Sequence, residues 1–114
     1  MTDCLFCKMI KGDIKADVVY ENDHVLAFKD INPQAPVHVL VIPKRHIGTL
    51  NDLAESDAEM AGQLFLAAQQ VATQLGVAEE GYRTVVNCNA LAGQTVYHIH
   101  LHVLAGRAMS WPPG

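Results

Sequence analysis

Apolar residues recur along this chain with two different periods, and each period predicts its own elements. The helical period is clearest after Ser56. Met60, Leu64, Ala67, Ala68, Val71 and Leu75 follow at spacings of three and four, one face of a helix. Ser56 and Glu59 form a capping-box pattern at its start, and Gly76 suits its C-terminal cap. Residues 4–11 predict a short first helix closed by Gly12. Strand-like stretches cover residues 18–21 and 25–29, separated by the turn signal Asn22-Asp23. Pro33 and Pro36 bracket a loop. Residues 37–42 are nearly all apolar and β-branched, as a central strand requires, and Pro43 ends the run. Residues 83–87 predict another strand, and 89–94 a glycine-containing loop.

The last predicted strand is VYHIHLHVL, residues 96–104. His98, His100 and His102 alternate with Ile99, Leu101 and Val103. Successive strand side chains point to opposite faces, so the three imidazoles share one face and the aliphatic residues the other. The tail Trp111-Pro112-Pro113-Gly114 cannot form regular structure, because proline removes the amide donor. Strands and helices do not strictly alternate. The predicted class is therefore α+β with an antiparallel sheet.

Composition narrows the partners. A chain of 114 residues is read as one domain, large enough for an apolar core without staples. Half of it is apolar and 18% charged, which argues against disorder. The net charge is −4, from 8 basic and 12 acidic residues, with no basic run. That argues against nucleic acid as a partner but leaves room for a mononucleotide, which needs only a local phosphate pocket. No signal peptide is expected from MTDCLFCKMIKGD, and no stretch approaches the roughly 20 apolar residues of a membrane span. Three cysteines make a disulfide framework improbable, and a reducing cytoplasm is the expected location.

Three chemistries compete for the histidine run. As core residues, three imidazoles would each need a buried partner. As metal ligands, only neighbouring positions can converge. Residues i and i+2 lie about 6.5–7 Å apart along a strand, while i and i+4 start about 13 Å apart. As a phosphoryl-transfer site the alternation is used fully: one imidazole attacks while its neighbours donate to phosphate oxygens. His38, on the other apolar strand, adds a donor if that strand is adjacent. The pair Cys4 and Cys7 is by itself open to redox chemistry, metal binding or accident.

His98-Ile99-His100-Leu101-His102-Val103-Leu104 resembles the HxHxHxx signature of the histidine triad (HIT) superfamily. The flanking Gly93-Gln94-Thr95-Val96-Tyr97, Gly106-Arg107 and Trp111-Pro112-Pro113-Gly114 are similar to its Hint branch, the histidine triad nucleotide-binding proteins. So are Asp30-Ile31-Asn32-Pro33-Gln34-Ala35-Pro36, Val41-Ile42-Pro43-Lys44 and Gly81-Tyr82-Arg83. The resemblance covers nearly the whole chain and implies a single HIT domain over residues 1–114. The implied fold is a five-stranded antiparallel sheet with two helices, joined to ten strands in a homodimer. The implied activity is hydrolysis of purine nucleoside phosphoramidates and aminoacyl-adenylates through a nucleotidyl-histidine.

Carried over by position, the resemblance makes His100 the nucleophile and places His102 and His38 at the α-phosphate. Thr95 and Gln94 would sit near the leaving atom, and Asn87 at the phosphate and ribose end. Asp30 would accept from the ribose hydroxyls, which an ionised carboxylate can do twice. Leu5, Phe6, Met9, Phe28 and Ile31 would line the purine slot, and Trp111 would approach the partner subunit's site. The resemblance also implies a structural zinc on Cys4, Cys7, His46 and His98, with no cofactor needed for the chemistry. That would make His98 part of the scaffold. Cys88 is read as a core thiol and His24 as an exposed turn residue. Thr95 where the branch usually has Ser, Ala92 before Gly93, and Lys29 before Asp30 depart from the pattern and bear on the leaving group. Rival functions are a nucleotide-binding regulatory module, a dinucleotide polyphosphate hydrolase, and a hydrolase that uses HxH as metal ligands.

Overall fold

The computed structural model describes residues 3–114. Helix α1 spans Leu5–Lys11 and α2 spans Ala58–Gln74. Strands β1 (Val18–Glu21), β2 (Val25–Lys29), β3 (Val37–Pro43), β4 (Tyr82–Val85) and β5 (Leu101–Ala105) form one antiparallel sheet in the order β1-β2-β3-β5-β4. The predicted α+β class, five strands and two helices are all present.

The strand period decides what each sheet face holds. Val25, Ala27, Val39, Val41, Leu101 and Val103 pack against Leu64, Ala67, Ala68 and Val71 of α2. The residues between them, Leu26, Phe28, Leu40 and Ile42, gather under Phe6 of α1 on the opposite face. Strand β3 is therefore buried on both faces, as its unbroken apolar run requires. Each fully buried Val, Leu or Ile contributes roughly 1.5–3 kcal/mol by leaving water.

The C-terminal end of α2 is sealed. At α2, Gly76 adopts φ 74° and its N–H donates to Thr73 O at 3.2 Å, while Val77 N–H reaches Ala72 O at 3.0 Å. That pair of bonds is a Schellman cap, which needs a left-handed residue at Gly76. The predicted capping box is corrected at the other end. A 3-10 turn, Glu55–Asp57, precedes α2, and Asp57 rather than Ser56 stands at the N-cap, its carboxylate turned back to the 3-10 turn. Asp57 accepts from Ala54 N–H at 2.8 Å and pairs with Arg45. An ionised acid competes better than a hydroxyl for a backbone donor.

Two strand boundaries also move. Strand β4 covers 82–85 rather than 83–87. The histidine run is not strand from residue 96. Pairing to β3 begins at Leu101, and residues 96–98 form a bend. His98 and His100 precede the ladder because their backbone is engaged elsewhere: Ile99 N–H donates to Ile47 O at 2.7 Å, and His98 O accepts from the His100 ring. Among the described residues, no helix is long and apolar enough to cross a membrane.

Candidate active site

The register of β3 against β5 sets the site. Leu40 stands opposite His102 and His38 opposite Leu104, so both histidines lie on the α1 face of the sheet. Hydrogen bonds then assign the ring tautomers. Gln34 N–H donates to His38 Nδ1 at 3.0 Å, which leaves the His38 proton on Nε2. His38 Nε2–H faces His102 Nδ1 at 2.9 Å and Asp30 Oδ2 at 3.5 Å. His102 accepts at Nδ1, so it carries its own proton on Nε2.

His100 is arranged the other way round. Its Nδ1–H donates to the His98 carbonyl at 2.8 Å, leaving the Nε2 lone pair free. Phe6 sits edge-on to the His100 ring with centroids 5.2 Å apart, and the His102 ring centroid lies 5.0 Å from that of His100. Burial keeps the neighbours neutral. It lowers the His38 pKa against the pull of Asp30. Burial, then the like charges of His100 and His38, push His102 down to about 4. An uncharged His102 with an Nε2–H is a hydrogen-bond donor rather than a competing base.

These rings open into a cavity of about 350 Å³. Leu5, Phe6, Met9, Phe28 and Ile31, the residues that the resemblance assigns to a purine slot, line it together with Asp30, Thr95, His100 and His102. An apolar wall with a few convergent polar groups is the usual form of a small-molecule site. Lys15, Ala16, Asp17, Lys29, Leu40 and Val96 also line it and were not anticipated. Leu40 was legible, since it lies two residues from His38 on a strand and so shares its face. Lys15, Ala16 and Asp17 sit between α1 and β1, where no period or motif marks them.

Other expected residues fall outside this wall. His38 is buried behind His102 and lines an adjoining cleft with Asp30 and Lys29. Gln94 is buried, and its amide is spent on backbone. It donates to Gly48 O at 2.8 Å and Val96 O at 3.1 Å, and accepts from Asn89 N–H at 2.8 Å. That last bond holds Asn89 at φ 68° and ψ −175°, a positive-φ extended conformation that residues other than glycine seldom adopt. Gln94 thus fixes the 89–94 loop. Asn87 and Trp111 do not line the cavity, and Trp111 is 82% exposed. His24 is exposed, as expected. Cys88 is half-buried and outside both apolar clusters, so it is not the core thiol expected.

A second cluster lies against the first. Cys4, Cys7, His46 and His98 bring four ligand atoms within 4.8 Å of one another. His98 Nδ1 is 3.3 Å from Cys4 Sγ, 3.5 Å from Cys7 Sγ and 3.2 Å from His46 Nδ1, and Cys7 Sγ is 3.3 Å from His46 Nδ1. The His98 Nε2–H donates to Pro43 O at 2.8 Å, which frees Nδ1 to ligate. Cys4 also caps α1 by accepting from Cys7 N–H at 3.3 Å. Four electron-pair donors facing one point, two of them sulfur, form a group that could hold a soft or borderline metal ion. The group that Asp30, His38 and His102 form is instead satisfied by its own hydrogen bonds.

Comparison with known proteins agrees with this geometry. A family model, that of the HIT domain, matches residues 11–109. The chain is 45% identical over 107 residues to the purine nucleoside phosphoramidase of Escherichia coli, covering 94% of this chain and 90% of that protein. It is 50% identical over 112 residues to an uncharacterized HIT-like protein of Synechococcus elongatus, covering 98% and 97%. Among solved structures it resembles a HIT family hydrolase from Legionella pneumophila. There the TM-score is 0.96 at 53% identity, with 98% and 100% of the two chains covered.

Proposed function

The chain belongs to the HIT domain family, and from that membership we propose that it is a purine nucleoside phosphoramidase. The observation that carries this reading is the His100 ring. Its Nδ1–H is tied to the His98 carbonyl, and its free Nε2 meets a cavity that also holds Asp30 and an apolar slot. The 45% identical phosphoramidase supports the choice of a phosphorus–nitrogen bond.

In this mechanism the purine lies among Phe6, Leu5, Met9, Phe28 and Ile31, and Asp30 accepts from the ribose hydroxyls. His100 Nε2 attacks the α-phosphorus, forming a phosphorus–nitrogen bond to the ring. The bond to the leaving amine breaks, and that nitrogen takes up a proton from solvent water beside Thr95. His102 Nε2–H donates to a phosphate oxygen, and His38 holds His102 in that tautomer. As His100 becomes cationic, its Nδ1–H bond to the His98 carbonyl strengthens. Water then attacks phosphorus, the bond to His100 breaks, and the nucleoside monophosphate leaves. Replacing His100 with Ala, with turnover of adenosine 5′-phosphoramidate measured beside AMP binding, tests this. Retained turnover overturns it. Turnover of dinucleotide polyphosphates in preference to phosphoramidates would favour the rival hydrolase.

We also propose that Cys4, Cys7, His46 and His98 hold zinc. Donor separations of 3.2–3.5 Å fit the edges of a tetrahedron with ligand distances of about 2.0–2.3 Å. Bound there, the ion would clamp α1 and the 46–48 loop to the His98 segment and take no part in the reaction. Elemental analysis of protein purified without added metal should find about one zinc per chain. A value below about 0.2 with full activity excludes it. The outer edge of β4 has no partner strand among the described residues, and unpaired edges favour strand addition. A second copy there would give the ten-stranded homodimer, which sedimentation of the purified chain checks. A reducing cytoplasm suits its free cysteines.

A further inference from the structure

Beside the nucleotide cavity lies a second, more open cleft of about 470 Å³. Leu5, Thr95 and Val96 line both, so the two meet along that ridge. The walls belonging to the second cleft alone are Asp3, Cys4, His46 and Tyr97, and among the described residues no lysine or arginine lines it. We propose that this cleft receives the leaving group, and that Asp3 and Tyr97 make it selective for amines that carry an additional positive charge. The proposal rests on the phosphoramidase reading and deepens it.

The direction of the reaction places the leaving group there. In an in-line displacement the departing atom lies on the far side of phosphorus from the attacking one. His100 and His102 line the first cavity and are absent from the second, which adjoins it at Leu5, Thr95 and Val96. The adjoining cleft with His38 meets the first cavity at Lys29 and Asp30 instead, the ribose end of the proposed site. A volume of this size admits an amine as large as an amino acid.

Charge sets the preference. A carboxylate and a tyrosine ring each attract an ammonium, and among the described residues no lysine or arginine on the wall opposes them. Leu5 and Tyr97 are 41% and 47% exposed. They give an aliphatic stem something to cover while its charged end reaches Asp3. Exposure limits the effect: an ion pair at about 4 Å in water is worth about fivefold in a rate or binding constant.

The test uses two adenosine 5′-phosphoramidates, one of pentylamine and one of 1,5-diaminopentane. Their kcat/KM values give a ratio of cationic to neutral amine for the full-length protein and for Asp3→Asn. At low salt the ratio should favour the cationic amine, fall about fivefold in Asp3→Asn, and recover in Asp3→Glu. Salt should erode it in the parent protein and not in Asp3→Asn. The same pair is titrated by calorimetry into His100→Ala and His100→Ala with Asp3→Asn, where no turnover is expected. A ratio that Asp3→Asn leaves as it was, in rates and in Kd, overturns the proposal. Failure of the parent protein to cleave either compound, with both still bound and the Kd ratio still dependent on Asp3, rejects the phosphoramidase chemistry and keeps the cleft. Absence of binding by either compound overturns both.

Discussion

Two histidine clusters lie side by side in this molecule, and they use the same ring in opposite ways. In the first, His38, His102 and His100 point nitrogens at each other, at backbone and into a cavity. In the second, His46 and His98 point Nδ1 at two sulfurs and at each other. The difference lies in which nitrogen meets a backbone carbonyl. His98 donates from Nε2 to Pro43 and turns Nδ1 to the sulfurs, whereas His100 donates from Nδ1 to His98 and leaves Nε2 free, as the proposed nucleophile requires. One residue joins the clusters. His98 gives its ring to the second and its carbonyl to the first.

The largest break in this comparison is His100→Ala. Loss of the proposed nucleophile should lower kcat by at least about 10⁴-fold. AMP affinity and metal content should stay near those of the parent, by calorimetry and elemental analysis. Metal loss together with activity would mean that the two clusters are one structural unit.

Cys7→Ser attacks from the other side. Removing one of four ligands should abolish stoichiometric metal and lower the melting temperature by roughly 10 °C, since ion binding stabilises only the folded chain. Activity should fall less than in His100→Ala, because no ligand touches the reacting atoms. A loss of activity as deep as that of His100→Ala, at a temperature where the variant is folded, would give the second cluster a direct part in the chemistry.

Protonation separates the clusters further. His102 has a folded pKa of about 4 against about 6.5 in the unfolded chain. The unfolded state therefore binds the proton first as pH falls. The stabilising contribution is complete above about pH 6.5 and is lost progressively towards pH 4. The whole loss is about 3 kcal/mol. Urea unfolding at pH 7.5 and 4.5 should show a smaller acid loss in His102→Asn than in the parent. Equal acid losses in the two proteins would remove His102 from the account.

Much of the fold was legible, and the reasons it was legible are physical. The 3.6-residue stripe of α2 and the two-sided apolar run of β3 each admit one element and one depth. Face parity put His98, His100 and His102 on one side of the strand, while the resemblance, not the pattern, set His38 beside His102. What failed was whatever depends on a distant partner. The histidine run reads as one strand from residue 96, yet Ile47 takes the Ile99 amide and the ladder starts only at Leu101. Gln94 looked like a substrate contact, but its amide closes a loop through Asn89 and Gly48. The metal-ligand set came from family resemblance. Spacing alone left Cys4 and Cys7 open, because His46 and His98 lie 39 and 91 residues from Cys7.

The smallest predicted effect concerns the one helix that both clusters share. Cys4 caps α1 and Cys7 lies within it, while Leu5, Phe6 and Met9 line the nucleotide cavity from the same seven-residue helix. Gly12 ends it at φ 85°, with Gly12 N–H on Met9 O at 3.1 Å and Asp13 N–H on Lys8 O at 2.9 Å. An added Cβ at Gly12 would meet nothing within 4 Å. The cost of Gly12→Ala is therefore conformational, about 1 kcal/mol for a left-handed residue with a side chain. That should lower the melting temperature by roughly 4 °C. If α1 moves as a unit, metal affinity and the KM for adenosine phosphoramidate should weaken together, each by less than about tenfold. A variant that loses metal affinity while KM stays fixed would mean that the helix serves the two clusters independently, through its N-terminal cap for one and its apolar face for the other.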